Sequence, residues 1–349
     1  MKITILWSSL ASYSVEFFKE LALQGLKIQL IYQPNESETP YKAFDLSFCE
    51  AALEDSDQVK INLESIIKDF HPSCILMSSW GFPHFMRLTK KVRKKGIYVI
   101  STIDHQWHGT FKQYIGVISS RIFLKPSIDK FLVAGDRQAH FACKLGYNDV
   151  LYGLYAADIN KFTCDVPIWQ RSANFLFLGR LVAVKGIEEL AGAYLAYRGQ
   201  VKNPWGLKVA GTGPLVELLR GMPGVDLLGF VQPPHLPELM YESRCLLLPS
   251  RWEPWGVVIH EAAAAGLPII ATYPCGATTM FVRDGENGYV VPPQQRHLTK
   301  AMVRISATPE AVLNHMSTTS ATLAKLWSPD KLAKYFIEEI IANDTIMRG

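Results

Sequence analysis

The sequence predicts an α/β protein made of two parallel sheets, each covered by helices on both faces. Three observations carry this reading. The chain has 349 residues, more than the roughly 250–300 at which a single core stops growing, so two domains of about 150 residues are expected. Short apolar runs alternate with stretches of helical spacing, the pattern of parallel strands joined by crossover helices. The rhythm breaks once, over residues 165–172 with Pro167, and then restarts.

The elements follow in order. Residues 3–7 form an apolar run that ends at Ser8-Ser9, with Glu16 soon after. A signal-peptide core needs about 7–15 apolar residues, so a buried first strand is the better reading. Val15, Phe18, Leu21 and Ala22 mark a helical face, and residues 27–32 form a second strand. Residues 34–60 are polar and acidic, with Pro34 and Pro40, and read as loop and short helix. A helix closes over 66–70 before Pro72. Strand 73–78, helix 85–95, strand 97–102, strand 130–134 and helix 137–145, stopped by Gly146, complete the first half. In the second half, strands 174–178, 207–210, 225–229, 245–248, 268–271 and 289–291 alternate with helices 187–197, 236–241, 257–265 and 299–305. The stretch after Glu310 is helical to the end. The linker is expected over residues 158–172. Ligands of such sheets sit beyond the carboxyl ends of the strands, so the loops there should hold the chemistry.

Composition narrows the function classes. Charged residues are 19% and hydrophobic residues 48%, which excludes a disordered chain. A net charge of +4 gives no argument for nucleic acid. No stretch approaches the roughly 18 apolar residues of a transmembrane helix. The six cysteines include no CxxC pair and read as free, buried thiols of a reducing, cytoplasmic compartment. The modest total hides a split: residues 34–69 carry a net −6 (9 acidic, 3 basic) and residues 70–150 a net +8 (12 basic, 4 acidic). Residues 85–96 hold Arg87, Lys90, Lys91, Arg93, Lys94 and Lys95 beside an apolar stripe of Phe85, Leu88 and Val92. Such a helix suits a peripheral contact with anionic membrane at the inner face; the plainer reading is a solvated helix face.

Three segments of the second half point to a ligand. In the first, Glu253 follows a strand end and Glu261 lies eight residues on, inside the next helix. Two carboxylates at different heights can hold hydroxyls of two parts of one ligand. Between them the amides of Trp255, Gly256 and Val257 open a helix N-terminus, where an anion is favoured. The bland alternative is a capping carboxylate and a solvated helical one. In the second segment, Arg180 and Lys185 flank a short loop after a strand, suited to a diphosphate. Val184 stands where a P-loop needs glycine, so that reading fails. In the third, Gly211 and Gly213 follow a strand and permit close backbone approach to a ligand; Val216 replaces the third glycine of a dinucleotide fingerprint.

Together these segments resemble the group 1 (family 4) retaining glycosyltransferases of GT-B fold. The resemblance runs from about residue 172 to 293, through FLGRLVAVKG (177–186), VAGTGP (209–214), VDLLGFV (225–231), LLLPSRWEPWGVVIHEAAAAGLPIIAT (246–272) and VRDGENGYVVPP (282–293). Glu253 and Glu261 fit the family's E-x7-E motif, and AADINKF (156–162) resembles the segment before its second domain. The resemblance implies two Rossmann-like domains with parallel sheets facing across a cleft. Residues 1–160 would bind the acceptor and 161–330 the donor, with a last helix of about 331–349 returning to the first domain. It implies transfer of a sugar from a UDP- or GDP-sugar to a hydroxyl of a glycan or lipid-linked acceptor, in polysaccharide or glycoconjugate synthesis, with no cofactor and no metal. Arg180 and Lys185 would hold the diphosphate, Glu253 the donor sugar and Glu261 the ribose. The amides at Trp255, Gly256 and Val257 would add to sugar and phosphate binding, with Phe230 and Val231 near the base.

The first half departs from the family. Ser8-Ser9-Leu10-Ala11-Ser12 replaces its glycine-rich loop, and Asp104 stands at the position of a common His, with His105 and His108 beside it. Any of the three can meet donor sugar or acceptor, and plain loop hydrogen bonding is the alternative. Ser79-Trp80-Gly81-Phe82 also follows a strand end and suits either the cleft or packing. Asp55-Ser56-Asp57 matches a metal-binding Asp-x-Asp, but it lies in the acidic polar stretch rather than behind an apolar strand. Two other classes stay open: another GT-B enzyme, such as a nucleotide-sugar epimerase or a phosphorylase, or a non-catalytic sugar-nucleotide-binding assembly protein.

Overall fold

The computed structural model describes residues 1–34 and 44–348; the part of the acidic stretch at 35–43 lies outside the described residues. The chain divides into two compact units, residues 1–156 with 329–349, and residues 157–328.

In the first unit the order is β1 (Lys2–Trp7), α1 (Ser12–Leu23), β2 (Lys27–Tyr32), β3 (Ala51–Glu54), α2 (Asp57–Phe70), β4 (Cys74–Met77), α3 (Pro83–Arg93), β5 (Tyr98–Ile103), α4 (Phe111–Phe123), β6 (Lys130–Val133), α5 (Asp136–Lys144) and β7 (Val150–Tyr152). The second unit holds α6 (Ile159–Phe162), β8 (Asn174–Leu178), α7 (Ile187–Gln200), β9 (Gly206–Ala210), β10 (Val225–Gly229), α8 (Leu236–Tyr241), β11 (Cys245–Leu248), α9 (Val257–Ala264), β12 (Ile269–Thr272), α10 (Thr278–Phe281), β13 (Gly288–Val291), α11 (Gln295–Ser306) and α12 (Glu310–Lys325). The last helix, α13 (Pro329–Arg348), belongs to the first unit.

Both sheets are parallel. The first runs β3-β2-β1-β4-β5-β6-β7 and the second β10-β9-β8-β11-β12-β13. Strand order reverses direction beside β1 in one and beside β8 in the other, which makes the gaps β1/β4 and β8/β11 the switch points where ligands of such sheets sit. Strand β1 is central, so Ile3, Ile5 and Leu6 are fully buried and its sequence reads as a continuous apolar run. Its one buried polar side chain, Thr4, donates to Gln29 Oε1 at 2.9 Å. Helix α13 is fixed to the first unit by Phe336 edge-on to Phe17 at 5.8 Å. Its Glu339 accepts from Tyr98 Oη at 3.1 Å and Lys130 Nζ at 2.6 Å.

Several sequence expectations need correction. The apolar stripe of α3 does not face outward: Phe85, Leu88 and Val92 lie in the core of the first unit. Lys91 and Lys95 pair with Glu64, and Arg93 with Asp129. A membrane contact through residues 85–96 would therefore lack its apolar half. Strand β3 and helix α4 were not legible, the first because it is a short, half-exposed edge strand. Only Cys74, Cys245 and Cys275 are buried, while Cys143 is exposed. Residues 158–172 are not a loose linker but are seated on the second unit. Arg171 is buried and donates to the carbonyls of Val166 (3.1 Å), Ala265 (2.8 Å) and Met240 (3.5 Å). Arg244 Nε donates to the Arg171 carbonyl at 2.8 Å.

Arg171→Met keeps the volume but leaves those carbonyls short of donors, at about 1–3 kcal/mol for each buried group left unmet. Urea unfolding followed by tryptophan fluorescence should show a clearly lowered midpoint; an unchanged midpoint would mean that the segment is only a connector.

Candidate active site

The second unit gathers its chemistry at the β8/β11 switch point. The loop after β8 carries Arg180 and Lys185, and the loop after β11 carries Glu253. Lys185 Nζ and Glu253 Oε2 form an ion pair across that gap, with side chains only 18% and 12% exposed. Ser250 Oγ lies 3.5 Å from the same carboxylate oxygen. The two loops are sewn together by main chain, since the amides of Arg251 and Trp252 both donate to the Val184 carbonyl, at 2.9 and 3.2 Å. Gly186 is in the left-handed region (φ 71°), and a Cβ there would stand 2.1 Å from the Pro249 carbonyl oxygen. Only glycine permits this crossing.

Gly211 and Gly213 serve a similar end. A Cβ on Gly211 would meet the Gly179 carbonyl oxygen at 1.8 Å, and one on Gly213 the Leu181 carbonyl oxygen at 2.4 Å. The close approach read from the sequence is thus made to the neighbouring loop. Its effect is to hold the loop carrying Arg180, whose side chain is exposed. Beyond β10, Phe230 is exposed and Val231 partly so, beside the β9 loop, where Gly211 N donates to Gly229 O at 2.7 Å.

Helix α9 starts directly after Gly256. The Trp255 side chain is buried edge-on to Phe281 at 6.2 Å, so this residue offers a ligand its backbone rather than its ring. Among the described residues, no main-chain acceptor takes the amides of Trp255, Gly256 or Val257, as expected of the first donors of a helix. One turn further, Glu261 is only partly accessible. Burial alone pushes its carboxyl up from the usual range to about 7, since no charge or hydrogen bond offsets the loss of water. The preceding residue, His260, was not expected to matter. It is fully buried, accepts from Ala157 N at 2.9 Å through Nδ1, and faces the Ala324 carbonyl at 3.2 Å through Nε2. Burial pushes its pKa down to about 4, so a neutral imidazole ties α9 to α12.

The first unit has its own concavity, a cavity of about 920 Å³. It lies at the β1/β4 switch point, lined by Ser8 and Ser9 after β1, Ser79 and Gly81 after β4, and Asp104 and His105 after β5. Tyr155 Oη donates to Asp104 Oδ2 at 3.3 Å, and His105 Nε2 lies 3.6 Å from Asp104 Oδ1. His108 is exposed and absent from the lining; its amide donates to Gln113 Oε1 at 2.8 Å. Trp80 lines the cavity and also packs edge-on to Phe131 at 5.4 Å. Away from this cavity, Asp55 is buried with Oδ2 3.0 Å from His84 Nε2, and Asp57 sits at the start of α2 beside Lys60.

Residues 172–308 match the sequence model of the glycosyl transferases group 1. The match covers 137 of the 349 residues, so the likeness to that family is one of the second unit. The β8/β11 site, from Arg180 to Glu261, lies within the segment, and the first unit's cavity lies outside it. An alpha-D-kanosaminyltransferase of Streptomyces kanamyceticus is 32% identical over 145 residues, covering 39% of this chain and 36% of that protein. A glycogen synthase of Mycobacterium tuberculosis is 25% identical over 227 residues, covering 59% of this chain and 53% of its own. The chain thus spans between about a third and a half of these relatives. Among solved structures, Anabaena HepE in complex with UDP superposes with a TM-score of 0.75 at 14% identity, over 98% of this chain and 100% of that one. A sucrose-phosphate synthase of Thermosynechococcus elongatus gives 0.74 at 16% identity, over the full length of both. The fold is that of the GT-B glycosyltransferases.

The raised Glu261 carboxyl has a pH signature. In the folded chain it holds its proton up to about 7, whereas the unfolded chain releases it near 4.5. The folded state therefore binds more protons between these values, and stability falls as pH rises through them. Glu261→Gln removes this dependence. The stability difference between variant and wild type should grow in the variant's favour by about 3 kcal/mol from pH 4.5 to 8, read by urea melts at each pH. A constant difference would mean that the carboxyl is not desolvated.

Proposed function

We propose that the protein is a retaining glycosyltransferase that binds a nucleotide-sugar donor at the β8/β11 switch point and transfers its sugar to an acceptor hydroxyl. The observation that carries the proposal is the convergence of Lys185, Glu253 and unused helix amides at that point, inside the segment shared with the group 1 family. HepE, similar in fold, was solved with UDP, which supports a uridine nucleotide as the first donor to try; a GDP-sugar remains the second.

The chemistry assigns each group a task. The diphosphate exchanges for Glu253 as partner of Lys185 and takes Arg180 as a second cation. Glu253, released, accepts from hydroxyls of the donor sugar. The ribose hydroxyls donate to Glu261, which supplies the hydrogen bonds its carboxylate lacks and favours its ionised form. Phe230 and Val231 lie at the base. As the bond from the anomeric carbon to the phosphate oxygen breaks, charge grows on the leaving nucleoside diphosphate. Preorganised cations and the α9 amides stabilise that charge, a role that needs no metal. The acceptor oxygen attacks from the leaving-group face, giving retention, and its proton passes to the departing phosphate oxygen. The first unit's cavity, with Asp104 and His105, takes the acceptor.

Lys185→Ala and Glu253→Gln should each lower hydrolysis of UDP-sugars by about a hundredfold or more, with circular dichroism unchanged. Wild-type rates in either variant would sink the assignment. A bound donor at 100 times its Kd should stabilise the wild type by about 2.7 kcal/mol, and Lys185→Ala should lose most of that shift in a thermal melt.

A further inference from the structure

Helix α4 carries an apolar face that is largely open among the described residues, with only Trp107 edge-on to Tyr114 at 5.0 Å. Phe111 (81% exposed), Tyr114, Ile115, Ile118 (75%) and Ile122 (70%) all face solvent. At 100° per residue these five positions fall in one stripe. Other exposed apolar side chains of this unit, such as Leu23 and Ile61, are not grouped in this way. Monomeric proteins seldom show such a cluster unless something binds it. The roughly opposite side of the same helix, through Lys112, Gln113, Gly116, Ser119 and Ser120, lines the 920 Å³ cavity. One helix thus separates the cavity from an apolar outer surface.

The charge around the stripe selects the occupant. Residues 105–128 contain Lys112, Arg121 and Lys125 and no acidic residue. The exposed Lys112 lies at the boundary between the stripe and the cavity-lining side. The end of α3 lies against the end of α4, where Arg93 Nη1 donates to the Lys125 carbonyl, and it adds the exposed Lys90 and Lys94, while Lys91 and Lys95 are paired with Glu64. A second copy of the chain would bring these cations against their own kind. Among the described residues, no helix is long and apolar enough to cross a membrane.

We propose that α4 docks the first unit onto an anionic lipid bilayer, lying in the plane of the interface with its apolar stripe among the acyl chains. A stripe of Phe, Tyr and Ile with Lys112 at its edge, on a helix whose sequence holds basic and no acidic residues, is the makeup of an interfacial helix, and Lys90 and Lys94 at the end of α3 add attraction to anionic headgroups. The docking stands independently of the donor site. Its consequence, a cavity held at the bilayer so that the acceptor is lipid-borne, rests on the glycosyltransferase reading.

The test is co-sedimentation of the full chain with phosphatidylcholine vesicles, with and without phosphatidylglycerol. The wild type should sediment with the anionic vesicles, less so in high salt, and weakly with phosphatidylcholine alone. Ile118→Asp/Ile122→Asp should lower partitioning by about tenfold or more. Ile118→Ser/Ile122→Ser, milder for folding, should lower it in the same direction, with unchanged melting temperatures. No wild-type binding, undiminished binding of both variants, or a concentration-dependent dimer dispersed by these substitutions would each overturn the proposal. Hydrolysis of UDP-sugar by the same variants in lipid-free buffer reports the donor site separately, so docking can fail while that site stands.

Discussion

The second unit depends on main chain crossing main chain at the carboxyl edge of its sheet. The β8 loop touches the β11 loop at Gly186 and Pro249, and the β9 loop touches the β8 loop at Gly179 and Leu181. None of these crossings leaves room for a Cβ. Because the loops are locked by backbone, Lys185 and Glu253 meet at a fixed place, and the first amides of α9 remain without main-chain acceptors beside them. A site whose charges are held before the ligand arrives needs little reorganisation when charge develops.

That arrangement also settles which group neutralises which. The Lys185 ammonium is neutralised by Glu253; in the proposed function the pair would exchange for a diphosphate and a sugar. Glu261 is the opposite case, since burial raises its carboxyl and no counter-charge offsets this. A buried carboxylate without partners costs stability, and a donor's hydroxyls are the groups that would meet it. His260 next to it is neutral and structural, tying α9 to α12.

Much of this was legible in the sequence because the second unit follows local rules. Its strands are apolar runs, and the motif residues Arg180, Lys185, Glu253 and Glu261 sit directly after strands or on the following helix. What sequence could not show was the partner of each group. Gly211 and Gly213 promised close approach to something, and the structure shows that Gly179 and Leu181 are the neighbours. The first unit was less legible for a different reason. The stripe of α3 reads as a surface feature because its cations dominate, yet Phe85, Leu88 and Val92 are core. Helix α4 keeps helical spacing in its apolar positions, which the sequence alone reads as a face for the core; that they face water shows only in the structure. Places where the burial rule fails are where a binding surface is to be sought.

The central claim is that the donor occupies the β8/β11 switch point, and its most direct measurement is a crystal structure of the protein soaked with a UDP-sugar. The account predicts the ribose hydroxyls within hydrogen-bonding distance of the Glu261 carboxylate, and Lys185 turned from Glu253 to the diphosphate. A nucleotide bound elsewhere, with the Lys185–Glu253 pair intact, would contradict it.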